Sequence, residues 1–418
     1  MRTRKRLITL LRVVGFLSAL GFGALAQATT NDYSRAIGLA VDRWLVVQKP
    51  SGFLPYGFNF LEDKESEPDT MSTGNFARQA GTAAVLADYY AFTKDPRARP
   101  AIEKFLTAFG RHSLPIGKSL TQSLIEKTHL LSMPVGRGKI RNALERLGLL
   151  FDKQGPGKVL SPDMDYSSAF TGTVAFALLT ELRFAQTSGD VGFSSLRQAW
   201  LEALLQLRIP GGGFRKFPTW IAPHPYADGE AWLALAQYHR QFPQDKRVAE
   251  MLSSVDDSLI KIYGSDFNID FYHWGAMAAA ARYADSKDAK FLDFIKNQTS
   301  AFLDSKQQPT SYNDCASVEG VADALATFVS VGEGKSELSG RARAWIAREI
   351  IKTEGLQIKP GQKELVFTNA RVSAPRLKEF TGSFLAGRYD LKTQVDYTSH
   401  CVSAMLKRQR QNRPVPKN

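Results

Sequence analysis

The chain has 418 residues, 44% of them hydrophobic and 23% charged. This is a globular balance with ample apolar material for a sizeable core, so disorder is excluded as the default. The formal net charge is +13, yet no interleaving of basic and aromatic residues marks a nucleic-acid surface, so no nucleic-acid partner is expected.

At the start, Arg2, Arg4, Lys5 and Arg6 precede a mostly apolar run from Leu7 to Ala26, which Arg12 interrupts and which ends in Ala-Leu-Ala before Gln27. The pattern reads as a secretory signal peptide over residues 1–26 and places the mature protein in a periplasm or outside the cell; Arg12 favours cleavage over retention as an anchor. That segment carries five Lys/Arg and no acids, leaving 13 − 5 = +8 on the remainder, an excess that mildly favours an anionic polymer. No later stretch approaches the length of a membrane span.

An opening helix is predicted over Ala36–Val47. Helix–turn–helix units then recur, with starts near Asn75, Ser167, Tyr226, Tyr272 and Asn313, and a closing helix begins near Ser399. In each unit the first helix is rich in Ala and Gly, the turn carries Asp or Gly, and the second helix has charged residues on one side. The starts at 226, 272 and 313 are 46 and 41 residues apart, within the ~40–50 residues of helical-pair repeats. Small residues let backbones approach closely, so the first helices are expected to form an inner ring and the second an outer shell. Residues 111–160 hold Gly/Pro-rich loops and a helical stretch around Lys139 to Phe151, read as a degenerate pair or an insertion. Aromatic, Gly-rich segments at Pro50–Phe58, Pro210–Phe217 and Phe367–Ala386 suit short strands or rim loops covering one end of the ring. The expected organisation is one all-α domain of about six helical hairpins over residues 27–406, followed by a basic flexible tail, 407–418.

The most buried helix is predicted within Tyr226–Tyr238, where Ala231, Ala234, Leu235 and Tyr238 share one face and Trp232, Leu233 and Ala236 leave little polar surface opposite. Asp228 and Glu230 fall at its start, where free N–H groups and the helix dipole favour negative charge.

These residues resemble the α/α-toroid, or six-hairpin glycosidase-like, superfamily of secreted carbohydrate-active proteins. The resemblance rests on Asn75-Phe-Ala-Arg-Gln-Ala-Gly81, Gly229-Glu-Ala-Trp-Leu-Ala-Leu235, His273-Trp274, Val318-Glu-Gly320 and Asp396-Tyr-Thr-Ser-His400, each near the start of a presumed inner helix. It implies a central funnel with the site at the inner-helix ends, and it leaves the reaction open, because toroids host hydrolases, lyases, epimerases, cyclases and binding proteins.

Glycoside hydrolysis needs one carboxylic acid for the leaving oxygen and one carboxylate as base or nucleophile. By analogy, Glu230 or Asp228 is cast as one partner and Asp314 or Glu319 as the other. The same acids also suit helix caps, and Arg78 also suits plain neutralisation of Glu230 or Glu319. His273 joins the catalytic candidates as a general acid or base. Arg78, Tyr226, Tyr272, Trp274, Tyr312, Asp396 and His400 are assigned to substrate binding, with core packing as the alternative for the aromatics. Cys315 and Cys401 are the only cysteines; the resemblance makes their inner helices neighbours, and a disulfide is the simplest reading. The sharper alternative, a Cys, Cys, His zinc site with His400 as in lanthionine-cyclase toroids, lacks those proteins' Gly-rich metal motifs. No cofactor and no metal are expected.

The expected function is therefore an exported protein acting on a bacterial polysaccharide or oligosaccharide, by hydrolysis with paired carboxylates. Two alternatives stand beside it: a non-catalytic toroid that binds or guides a polysaccharide during secretion, and a lyase or epimerase on uronic acids with His273 or Tyr272 as base.

Overall fold

Five of the helices open on a side chain that accepts one of their unpaired N–H groups. Ser72, Asp245, Asn268, Asp288 and Ser336 each cap the helix that follows, which fixes where each begins. Ends are marked by left-handed residues, among them Gly189 at φ 74°, a conformation glycine reaches without a Cβ clash. The computed structural model describes residues 32–67, 70–117, 154–220, 222–306 and 310–412. The segment read as a signal peptide and the helical stretch around Lys139 to Phe151 lie outside the described residues.

Among those residues the helices are α1 (Ser34–Val47), α2 (Thr73–Thr93), α3 (Ala98–Arg111), α4 (Thr171–Ser188), α5 (Ser194–Leu207), α6 (Pro225–Gln241), α7 (Lys246–Tyr263), α8 (Ile269–Ser286), α9 (Ala289–Ser305), α10 (Cys315–Ser330), α11 (Glu337–Glu354) and α12 (Val395–Asn412). Helices α2, α4, α6, α8, α10 and α12 pack each on the next, and α12 returns to α2, closing a ring. Each is followed outside by its partner, except that α12 takes α1; the two ends of the chain thus supply the sixth hairpin. The protein is an (α/α) toroid of six helical hairpins.

Burial separates the two layers. In α4, residues Thr171 to Leu182 are buried without a break, whereas α7 buries Val248, Leu252, Val255, Asp256, Leu259 and Tyr263 along one stripe. A helix covered on both sides must be apolar all round, and one covered on a single side is amphipathic. Close approach between inner helices has a backbone requirement. A Cβ at Gly320 of α10 would lie 2.8 Å from His273 Cα in α8, and one at Gly229 of α6 would lie 2.6 Å from Trp274 Cβ.

The rim is made of short strands. A sheet of order β2-β1-β8-β7 ties Gly57–Asn59 (β1) and Lys64–Ser66 (β2) to Leu385–Gly387 (β7) and Asp390–Gln394 (β8). Ser113–Ile116 (β3) pairs with Gly157–Leu160 (β4), and Glu364–Phe367 (β5) with Ala370–Ser373 (β6). A small second core of Phe58, Phe60, Leu356, Ile358, Leu365, Leu377, Phe380 and Leu391 holds the rim together.

One boundary differs from expectation. The closing helix starts at Val395 and runs to Asn412, so residues 407–412 are helical rather than a free tail. Lys407 pairs with Asp323 at 2.6 Å, and Gln411 donates to the Ala322 carbonyl at 2.7 Å. These contacts to α10 hold the last turn in place.

Candidate active site

The inner ring encloses a cavity of about 690 Å³. Because the inner helices point the same way, residues near their starts meet at one level. Arg78, Tyr226, Glu230, His273, Trp274, Glu319, Asp396 and His400 all line it.

Glu230 is the sixth residue of α6 and only 5% exposed. Its Oε2 has no hydrogen-bond partner among the described residues. It lies against the first turn of α4, where a Cβ at Gly172 would come within 1.8 Å of that oxygen. Burial pushes its carboxyl well above the ordinary carboxylate range, which favours the protonated form.

Glu319 is differently placed. Its Oε1 meets His400 Nδ1 at 2.6 Å and its Oε2 accepts the Ser403 hydroxyl at 2.8 Å. Both oxygens are committed, and they fix the imidazole. Burial works against a charge on His400, but the Glu319 carboxylate, aided by Asp396, outweighs it and raises the histidine. The neighbouring His273 goes the other way: burial first, and the charge of His400 second, hold it well below its usual value. The two rings are 6.0 Å apart, and His273 Nε2 has no partner among the described residues.

Nearer the mouth, Arg78 Nε donates to Asp396 Oδ2 at 2.9 Å, while Asp396 Oδ1 is unpartnered among the described residues. The wall above is aromatic. Tyr226 stacks on His224 at 6.1 Å and meets His273 at 6.4 Å. Burial and then Asp270 push the Tyr226 hydroxyl up to about 12, so it remains a donor. Trp274 packs edge-on against Phe176 at 4.9 Å.

Four residues expected in the site are elsewhere. Successive residues of an α-helix are turned by about 100°, so Asp228, two before Glu230, faces away from the cavity. Asp228 accepts the Phe214 N–H at 2.5 Å and the Tyr263 hydroxyl at 2.6 Å, and burial raises its carboxyl to about 7. A Cβ at Gly213 would lie 2.0 Å from Asp228 Oδ1, which accounts for the Gly-rich loop: bare backbone closes over this acid. Asp314, ahead of α10, is held by Lys306 at 3.3 Å, Lys352 at 3.0 Å and Thr310 at 2.5 Å. Tyr272, beside His273, turns outward, stacks on Phe302 at 4.4 Å and donates to Thr299. Tyr312 is 57% exposed on the rim and bridges to Gly387.

Other wall residues escaped the sequence reading: Ser403, His224, Lys216 and Phe217, as did Gly172, which lies against the Glu230 carboxyl. Ser403 had a usable signal, being three residues after His400 and hence on the same helical face. Gly172 had none, since its significance is the carboxyl it faces on the neighbouring inner helix. Cys315 and Cys401 form a disulfide joining α10 to α12, leaving no thiolates for the zinc alternative.

No protein-family model matches this chain, and no curated protein matches it. Among solved structures the chain is similar to an α-1,6-mannanase of family 76 from Salegentibacter, an inactive variant with two adjacent aspartates replaced, in complex with α-1,6-mannotetrose; the TM-score is 0.54 at 11% identity over 91% of this chain and 99% of that one. It is similar to an unsaturated glucuronyl hydrolase specific for heparin, with TM-score 0.55 at 12% identity over 90% and 96%. It is also similar to the cellobiose 2-epimerase of Spirochaeta thermophila, with TM-score 0.53 at 14% identity over 90% and 95%. At these identities the likeness establishes the toroid fold.

Proposed function

We propose that the cavity hydrolyses a glycosidic bond of an oligosaccharide or polysaccharide. One observation carries the reading: of the carboxyl groups on the cavity wall, Glu230 and Asp396 each keep one oxygen without a partner among the described residues. Their surroundings differ in the sense that acid–base work needs. Burial biases Glu230 toward its neutral form, whereas Asp396 is paired with the Arg78 guanidinium. Environments that split two carboxyls into a proton donor and an acceptor define the roles. Glu230 protonates the leaving oxygen as the anomeric C–O bond breaks. Asp396 takes the proton of the water that bonds to the anomeric carbon, and the Tyr226, His224 and Trp274 rings hold the sugar faces.

The mannanase's adjacent aspartate pair has no equivalent on this wall. The chain's Asp256-Asp257 lies on outer helix α7, where Asp256 accepts from Trp232 Nε1 at 2.7 Å and pairs with Arg282 at 2.8 Å. The proposal is thus hydrolysis, without assignment to mannan. Export is part of it, supported by the basic–apolar N-terminal run and by the disulfide, which persists in oxidising compartments. No described helix is long and apolar enough to cross a membrane.

The test is turnover on a panel of bacterial exopolysaccharides and their oligosaccharides. Glu230→Gln and Asp396→Asn should each lower kcat by ~10²–10⁴-fold while leaving glycan binding and the melting temperature near wild type. Retained turnover in both variants removes this reading, and binding without turnover in the wild type makes the protein a glycan-binding module.

The histidine pair favours a second reading, proton transfer at a sugar carbon as in epimerisation. His273 is biased toward its neutral form, with Nε2 unpartnered among the described residues, and His400 is biased toward the cation 6.0 Å away. Exchange of a sugar C–H for deuterium in heavy water, without bond cleavage, would favour it over hydrolysis.

A further inference from the structure

Below the level of Glu230 and the histidines the cavity changes character. Its wall there is Gly81, Ala84, Val85, Leu179, Leu233 and Met277. The backbone at these positions is inside helices, and the one hydroxyl that borders them, Ser403, is committed to Glu319 at 2.8 Å. A water molecule needs two to four polar partners to stay in such a space, and this wall offers none. The floor is polar again: Asp88 and Arg183 pair at 2.9 Å across α2 and α4, with Arg410 at 3.8 Å. From Gly81 to Asp88 is two helical turns, roughly 10 Å at the α-helical rise.

A sugar presents hydroxyls on its whole periphery and would leave them unbonded in this chamber, at a cost for each. We propose that the lower chamber binds a linear hydrocarbon chain. Taken with the hydrolytic reading of the layer above, on which this part rests, the molecule handled is a sugar carrying an alkyl, acyl or isoprenoid tail. The tail runs down from the acid layer past Phe176 and Trp274 and stops at the Asp88–Arg183 pair. Apolar burial supplies affinity, and the charged floor limits its length.

The chamber can be tested without knowing the sugar. The disulfide-bonded mature protein is titrated calorimetrically with n-alkanols from butanol to dodecanol. One equivalent should bind, with Kd falling up to about fourfold per added methylene and then levelling once the chain meets the floor. Ala84→Phe fills the chamber and should abolish this dependence while the melting temperature stays near wild type; Val85→Phe serves if Ala84→Phe does not fold. Geraniol competing better than n-decanol supports the chamber and assigns an isoprenoid tail. A Kd independent of chain length, several equivalents bound, or unchanged binding in the filled variant overturns the proposal. Alkanol binding requires no turnover. Loss of the hydrolytic reading through an active Glu230→Gln variant therefore leaves the chamber standing, and a hydrolase with flat alkanol binding removes the chamber alone.

Discussion

Asp228 and Glu230 share a carboxyl group, a helix and nearly a position, and their environments give them opposite duties. Asp228 holds the Gly-rich loop and Tyr263 through two short hydrogen bonds, and Tyr263 in turn stacks on Phe271 at 3.8 Å. An asparagine keeps one acceptor for these donors, whereas alanine leaves a buried N–H and a buried hydroxyl unpaired at ~1–3 kcal/mol each. Asp228→Ala is expected to lower the denaturant midpoint well beyond Asp228→Asn, and Asp228→Asn to retain turnover. A loss of turnover in Asp228→Asn matching that of Glu230→Gln, at full stability, would place Asp228 in the chemistry after all.

Between elements, hairpins are fastened by buried ion pairs as well as by apolar contact. Arg197 of α5 reaches Glu181 of α4 at 3.1 Å, and Glu181 is fully buried. Burial raises the Glu181 carboxyl to about 7 although Arg197 pulls it down. Removing the arginine strands a buried carboxyl, which typically costs 3–5 kcal/mol, while replacing both partners by apolar groups is often neutral. Arg197→Ala should therefore be strongly destabilising in chemical denaturation, and the double variant Glu181→Leu/Arg197→Met should recover most of the loss. Equal instability in both would mean that the pair itself, not the stranded charge, is what matters. The repeated inner–outer hairpin is also the part of the architecture most legible in the sequence. The Ala/Gly-rich runs at Asn75, Tyr226 and Tyr272 gave α2, α6 and α8 to within a few residues, because small side chains and caps act locally. The end of α12 was not legible, since Lys407 and Gln411 owe their order to Asp323 and the Ala322 carbonyl on α10.

At the scale of the whole molecule the ring is closed by a non-sequential hairpin and cross-linked once. The Cys315–Cys401 bridge spans 86 residues, and in the chain-entropy view a loop of that length stabilises by ~4–5 kcal/mol. Denaturant melts with and without reductant should differ by a few kcal/mol; coincident curves would show that α10 and α12 need no tether. Stability should also depend on pH. Glu181 and Asp228, both near 7 when folded, and Glu230, also raised by burial, hold protons that the unfolded chain has already lost. The folded state thus binds more protons than the unfolded one, and stability falls as pH rises through that window. His400, raised when folded, acts in the same direction, whereas the depressed His273 and His224 oppose it only below their usual pKa. The melting temperature is expected to be higher at pH 6.5 than at pH 8, by the equivalent of roughly 1–2 kcal/mol. A melting temperature that rises with pH over that interval would mean these carboxyls are ionised in the folded protein.

The sequence by itself determined the paired helices, their inner and outer layers, the rim loops and the level along each inner helix at which polar groups gather. The first three follow from local composition and periodicity, and the level of the polar groups from the resemblance to toroids. Which of two neighbouring candidates faces the cavity was decided only by the tertiary structure: Glu230 over Asp228, His273 over Tyr272, Glu319 over Asp314. The reason is that an inner helix is buried on both sides. Its outer face meets the second layer and its inner face meets the cavity, so both are lined by apolar and hydrogen-bonded residues. Hydrophobic periodicity then cannot tell one from the other, and the rotation of each helix is set by contacts such as Gly320 on His273 and Gly172 on Glu230, which exist only once the ring has closed.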